Sequence, residues 1–362
     1  MTHLRSSWLR SLGIGAMAVL VLGGAGCRNP FQEDATAVLQ EGYTRAVQAE
    51  HSRYEAQGTV QFAAALGNTD APIQELSVQF DAQGSDSGRG AAATSTAAQR
   101  IAITVDTSEA IARANVQLDS RWVEGKTYLR LGDITAKLEP KAGTDAVSAP
   151  EVKEMQMGTD AALGAVKGML GGKWIAIDLN AIAGMVAALD PEIVPPKLPT
   201  GAELDALDAR LRAALQANPL LVLRTRVGTE KLDGVRTYHY TVGLNRSSIL
   251  PLMEAVAADL QLTASDLDEA RTALADPKVI AALDQMVGDI WIAKKSKDVM
   301  RMRITVDSEQ FADAEFNKEG RLTGTIDMRF RDWGKAAPVE APKDAVPIEE
   351  LLGGLLGGAA MF

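Results

Sequence analysis

The sequence predicts an α+β domain in which a curled antiparallel sheet of about eleven or twelve strands carries helices across its concave face. Three observations predict it. Many segments alternate apolar and polar residues, as strands with one dry and one wet face do. Longer stretches with helical spacing lie between them. The strand count exceeds what a single flat open sheet holds without curling or closing.

The chain opens with Arg5 and Arg10, no acid, and then an uncharged run over residues 12–26. These are the n-region and h-region of an export signal, and the run is shorter than the roughly 18 to 20 apolar residues that a membrane span needs. A cleaved signal peptide is therefore expected over residues 1–26, with Gly23-Gly24-Ala25-Gly26 leading directly into Cys27. This ending resembles the lipobox of bacterial lipoproteins, a small-residue tripeptide before the cysteine that becomes the lipidated first residue. Gly24 stands where that family usually has Leu. Ordinary signal cleavage after Gly26 also fits the small residues.

Cys27 is the single cysteine, so it cannot form an internal disulfide, whereas exported chains that use cysteine structurally carry an even number. Either the thiol stays free or buried, or it is capped. A thioether to diacylglycerol, as the lipoprotein resemblance implies, caps it, and two or more acyl chains hold a protein stably where one holds weakly. The expected location is extracytoplasmic, on the periplasmic side of a membrane or at the cell surface, anchored through lipid.

After the signal about 335 residues remain, enough for one large or two ordinary domains. Two of the 37 basic residues lie in the signal, which leaves 35 against 47 acids, a balance of -12 for the mature chain. That balance disfavours nucleic acid and anionic lipid headgroups, whose long-range attraction needs the opposite charge. The 46% hydrophobic content is that of a globular chain.

Residues 27–33 read as a tether, and a helix is expected from Asp34 to about Glu50, with Val38, Tyr43, Ala46 and Val47 on its apolar side. The period then changes to two. Val60, Phe62, Ala64 and Leu66 alternate with polar or small residues, as do Leu76, Val78 and Phe80, then Ile101, Ile103 and Val105, then Val116 and Leu118. Residues 84–98 read as a low-complexity loop. Glu124-Gly125 signals a tight turn before a strand at 126–131, and another strand follows at 173–178. Helices are expected at 151–170, 179–189 and 202–215, a helical insertion spanning about 139–215. Beyond it come strands carrying Leu221 and Leu223 and then Tyr238, Tyr240 and Val242, joined at Asp233-Gly234. Helices at 246–260 and 264–286 precede strands at 290–294, at Met302-Ile304-Val306, at 311–316 and at 322–330. The last of these presents Arg321, Thr323, Thr325, Asp327, Arg329 and Arg331 outward, so Ile326 and Met328 belong to its dry face. One domain is expected over 34–334, followed by a Pro- and Ala-rich spacer and a short amphipathic segment over 335–362.

The order of parts resembles the LppX/LprG-type, LolA-like bacterial lipoproteins. The lipobox-like end at Cys27, the first helix, Glu124-Gly125-Lys126-Thr127-Tyr128-Leu129, Lys173-Trp174-Ile175, Asp233-Gly234 with Tyr238-His239-Tyr240, Ile290-Trp291-Ile292 and the close at Trp333-Gly334 carry the resemblance. It implies a U-shaped half-barrel whose hollow holds the acyl chains of a lipid or glycolipid for carriage or sensing. The lining that follows is Ile101, Ile103, Val105, Val116, Leu118, Leu221, Leu223, Ile304, Val306, Ile326 and Met328. Alternatively these residues meet the helices in a filled core, and the sheet is a structural or protein-contact platform; a protein partner is not named by the sequence. The insertion at 139–215 departs from the family.

No catalytic or metal signature emerges, and no cofactor is expected. His51 and His239 lie outside any ligand spacing, and His239 reads as a solvent-facing strand residue. Gly84-Ser85-Asp86-Ser87-Gly88 lacks the central serine of a nucleophile elbow; Asp81 and Asp86 there offer at most a weak calcium pair against an ordinary solvated turn. Asp307, Glu309, Asp313 and Glu315 read as a wet edge. The glycines at 353–358 follow no strand and precede no Lys-Ser/Thr, so they are not a phosphate loop. Ile348, Leu351, Leu352, Leu355 and Leu356 would line a short helix that either docks on the sheet or frays.

Overall fold

A computed structural model describes residues 33–66, 73–89, 92–107, 110–141, 149–178, 201–260, 262–308, 321–335 and 339–351. Cys27, the helix expected at 179–189, the strand expected at 311–316 and the tail beyond 351 lie outside the described residues. The chain divides into two compact units, Met1–Ala49 with Ala209–Ile304, and Glu50–Asp208 with Thr305–Phe362.

The first unit starts with α1 (Ala35–Gln48). Asp34 caps it by accepting the Thr36 N–H at 3.0 Å, and Val38, Leu39, Tyr43 and Val47 are its buried stripe. Strands β7 (Leu221–Leu232) and β8 (Val235–Leu244) form a hairpin. Its turn is Asp233-Gly234 with φ of 49° and 81°, the left-handed pair that favours an Asp-Gly turn between twisted strands. A short 3-10 turn, Arg246–Ser248, leads into α4 (Ile249–Val256), then α5 (Ala264–Ala275) and α6 (Pro277–Asp284). The single helix expected over 264–286 is thus two. Pro277 cannot continue a helix from Asp276, and Asp276 instead caps the second helix by accepting the Lys278 N–H. Strand β9 (Val287–Ala293) pairs with β8, and β10 (Val299–Ser308) follows.

The second unit is built on five long antiparallel strands, β1 (His51–Leu66), β2 (Ile73–Ser87), β3 (Thr94–Thr107), β4 (Ala110–Val123) and β5 (Lys126–Pro140), with β11 (Arg321–Arg331) beside β1. Here residues 84–98 are not one loop: Gly84–Ser87 ends β2 and Thr94–Ala98 begins β3. Gly84 itself is small for a packing reason, since a Cβ there would sit 2.7 Å from the Tyr54 ring. Glu124 and Gly125, with φ of 53° and 76°, turn β4 into β5 as expected. Helix α2 (Ala149–Leu170) packs on β5, and β6 (Trp174–Ile177) pairs with its first residues. The helix α3 (Ala202–Ala217) begins in this unit and ends in the first.

The twelve strands form a mixed, unclosed sheet, ordered β12-β6-β5-β4-β3-β2-β1-β11 through the second unit and β10-β9-β8-β7 onward. The α+β class and the strand number agree with the sequence reading. The parallel element was not expected: β12 (Val346–Pro347), inside the supposed spacer, runs parallel to β6. Arg121 donates to the Glu340 carbonyl at 2.9 Å, and the Val339 N–H to Thr94 Oγ1 at 3.2 Å, so the spacer is fastened to the sheet before it pairs.

Candidate functional site: an apolar sheet face

Register decides which side chains share a face, because paired residues on antiparallel strands point the same way. One row across the second unit reads Val60, Val78, Ile103, Ala114 and Ala136; the next reads Ile326, Gly58, Phe80, Ile101, Val116 and Ile134. A third joins Leu322, Phe62, Leu76, Val105, Ala112 and Leu138, and a fourth runs Met328, Ala56, Ala82, Gln99, Leu118 and Leu131, with Gln99 its one polar member. The opposite face carries Arg53, Glu55, Gln57, Gln79, Asp81, Arg100, Gln117 and Arg329. Six strands at about 4.8 Å spacing make the apolar face about 24 Å wide, and the eight residue steps from Leu322 to Phe330 make it about 27 Å long.

These apolar side chains are half-buried rather than sealed, from Val60 and Phe62 through Val78, Phe80, Ile101, Ile103 and Val105 to Val116 and Ile134. Helix α2 does not close the face. It lies against β5, where Gln156 accepts from the Leu138 N–H at 2.7 Å and donates to the Ala136 carbonyl at 3.0 Å. That satisfies the ladder of β5 beyond the reach of β6. Its other side leaves Met155 and Met157 exposed.

One end of the face is polar. Asp86 lies in the same row as Ser52 and Ser95; its side chain still reaches solvent, and partial loss of hydration among its neighbours pushes its carboxyl above the ordinary 3.8. Burial likewise raises the Tyr54 hydroxyl, with the nearby Asp86 charge adding to it. Asp81 lies on the opposite face from Asp86, so the calcium pair considered from the sequence is not assembled. His51 Nδ1 is 2.9 Å from the Ser87 hydroxyl, which is 3% exposed and fastens the strand ends rather than meeting a substrate. On the polar face a groove of about 440 Å³ is lined by residues including Arg53, Glu55, Gln83, Arg329 and Arg331; Arg53 pairs with Asp332 and Arg331 with Glu55, each at 3.4 Å.

Of the lining expected from the sequence, Ile101, Ile103, Val105, Val116, Leu118, Ile326 and Met328 converge on this one face. Val306 is half-buried on β10, and Leu221, Leu223 and Ile304 belong to the first unit. The expected set left out Val60, Phe62, Leu76, Val78 and Phe80, whose alternation was read, as well as Tyr54, Gly58, Ile134 and Leu138. His239 is not solvent-facing: its ring stacks on Trp291 with centroids 4.3 Å apart, and its two nitrogens are each 3.1 Å from a carboxylate, Glu230 and Asp289. Asp307 pairs with Arg321 at 2.9 Å; the other three acids of that stretch lie outside the described residues. Among the described residues, no three His, Cys, Asp or Glu gather to hold a metal ion, and no helix is long and apolar enough to cross a membrane.

No family model matches the chain, and no curated protein matches it. Among solved structures the chain is similar to the Mycobacterium tuberculosis lipoprotein LppX, at 11% identity over 84% of this chain and 97% of that one, with a TM-score of 0.28. It is also similar to LprF from Mycobacterium bovis, at 14% identity over 86% and 96% with a TM-score of 0.34. A third match is a DUF1329 family protein from Desulfovibrio piger, at 8% identity over 84% and 93% with a TM-score of 0.19.

Proposed function

We propose that this chain is an exported lipoprotein, held to a membrane through lipid on Cys27, that binds the acyl chains of a lipid or glycolipid on the apolar face of β1–β5 and β11. The observation that carries the reading is the set of in-register apolar rows left half-buried across six strands. Water-exposed apolar area of that extent is costly, and contiguous apolar surface marks a binding surface. The length of about 27 Å exceeds half the ~30 Å hydrocarbon core, which is the depth one lipid's chains span, so a chain lies along the strands without leaving the face. Each methylene moved from water onto it gains about 0.8 kcal/mol. The reading is carriage or sensing of lipid, without catalysis or a cofactor.

Native mass spectrometry of gently purified protein, together with uptake of a fluorescent fatty acid, tests this. Co-purifying lipid and saturable uptake are expected, and Ile103→Glu, which puts a charge mid-face, is expected to abolish uptake while the fold survives. A clean protein that takes up no fatty acid overturns the reading in favour of a protein-contact platform. For the anchor, Cys27→Ser is expected to release the protein from membrane fractions.

A further inference from the structure

The first described residue, Glu33, is fastened. Its carboxylate accepts from Lys297 Nζ, an ammonium that also donates to the Lys294 carbonyl at 2.8 Å, and the Lys297 bond holds the Glu33 carboxyl below its ordinary 4.5. Lys297 is 9% exposed and has φ of 60°, so it is built into the β9–β10 turn rather than swinging from it. The next residue, Asp34, caps α1. The point where the chain enters the first unit is therefore set by the β9–β10 turn.

That turn has neighbours. The Lys294 N–H donates to the Arg236 carbonyl at 2.9 Å, which places the β7–β8 turn beside it, and the Lys294 ammonium lies 4.6 Å from the Tyr238 ring centre. Lys231, Arg236 and Lys295 are exposed at this end, Lys294 is half-buried, and Val235 is an exposed apolar residue at 38%. With Lys297 neutralised by its partner Glu33, these four bases stand against Asp233 and Asp298, a local excess of two positive charges in a chain of net charge -10. The sequence-wide balance argued against anionic headgroups; the fold gathers the exceptions at one end.

Chain length joins this end to the membrane. Six residues separate Cys27 from Glu33, and an extended chain spans at most about 3.5 Å per residue, so the two are no more than about 21 Å apart. We infer that the paired turns Lys231–Arg236 and Lys294–Asp298 are a membrane-docking surface that rests on anionic lipid headgroups, with Val235 reaching toward the interface. The inference builds on the proposed lipid anchor at Cys27. Anchoring raises the local concentration of this surface at the bilayer, and the same bases bias the unanchored protein toward anionic over neutral lipid.

The test uses full-length Cys27→Ser protein, which has no acyl anchor, in co-sedimentation with phosphatidylcholine vesicles with and without phosphatidylglycerol. Expected are preferential, salt-sensitive binding to the anionic vesicles and a loss of about fivefold in affinity for each base removed in Lys231→Gln, Lys294→Gln and Lys295→Gln. Lys153→Gln with Lys173→Gln, which remove bases elsewhere, are expected to change nothing. Lys297 is left intact because it holds Glu33. Equal binding to both vesicle types, or an equal loss in the control variant, overturns the docking surface. The anchor is read separately: wild-type protein that fails to fractionate with membranes overturns the lipoprotein reading, whatever the vesicles show.

Discussion

In the first unit Tyr240, Ile290 and Ile292 are 0% exposed and lie in register on β8 and β9; in the second, Val78, Ile103 and their row-mates are paired just as regularly yet stay half-buried. The difference lies in what covers each face. Helix α1 packs on β7 and β9, so closely that a Cβ on Gly42 would sit 2.9 Å from the Ile292 side chain, and Tyr43 donates its hydroxyl to the Leu215 carbonyl. Helix α2 lies against β5 instead. Identical alternation thus supports a sealed core in one unit and a half-buried apolar face in the other.

The sharpest way to break that contrast is to delete the same atoms in both. Ile290→Ala is expected to cost about 2–5 kcal/mol, the range for a core cavity, whereas Ile103→Ala costs about 1 kcal/mol, because its side chain is already partly in water, and weakens lipid uptake. Denaturation followed through Trp291 for the first unit and Trp122 for the second measures both; equal losses would remove the distinction. Next in size, Gly58→Val should cost about 1–3 kcal/mol by overpacking, since even a Cβ there meets the Phe80 ring at 2.5 Å and the Thr325 carbonyl oxygen at 2.8 Å. Smaller still, the buried Tyr240 hydroxyl has no hydrogen-bond partner among the described residues. Tyr240→Phe is therefore expected to stabilise the first unit by about 1 kcal/mol in the same denaturation assay.

The smallest effect concerns pH. The Asp86 carboxyl is raised in the folded protein by partial loss of hydration, so the unfolded chain gives up this proton first, and stability falls as pH climbs from the ordinary 3.8 through the folded value. Asp86→Asn is expected to melt higher than wild type near pH 7, with the gap closing below about pH 3.8. Thermal melts across that range decide it, and a gap that widens on acidification would contradict the assignment.

Much of the strand content was legible because period-two alternation needs only neighbours in sequence, and the turns at Glu124-Gly125 and Asp233-Gly234 because positive φ selects their residues. Residues 84–98 misled for the opposite reason: small polar residues read as loop, but both ends are paired strand, and Gly84 is small because Tyr54 lies over it. The expected lining was split between units because alternation tells which residues share a strand face and not which strands pair. The pairing of Arg53 with Arg331 joins β1 to β11 across the length of the chain, and no local pattern announces it. His239 looked solvent-facing for the same reason, its Trp291 neighbour being on another strand.

By itself the sequence determined an α+β chain with a lone Cys27 that cannot pair internally, two-faced strands and the residues at their turns. These are set by composition and by interactions a few residues apart. Only the tertiary structure decided which apolar face is sealed and which stays half-buried, and that Lys231, Arg236, Lys294 and Lys295 gather beside the fastened Glu33 in a chain of net negative charge. Burial and local charge are sums over residues distant in sequence, so they exist only once the strands have paired.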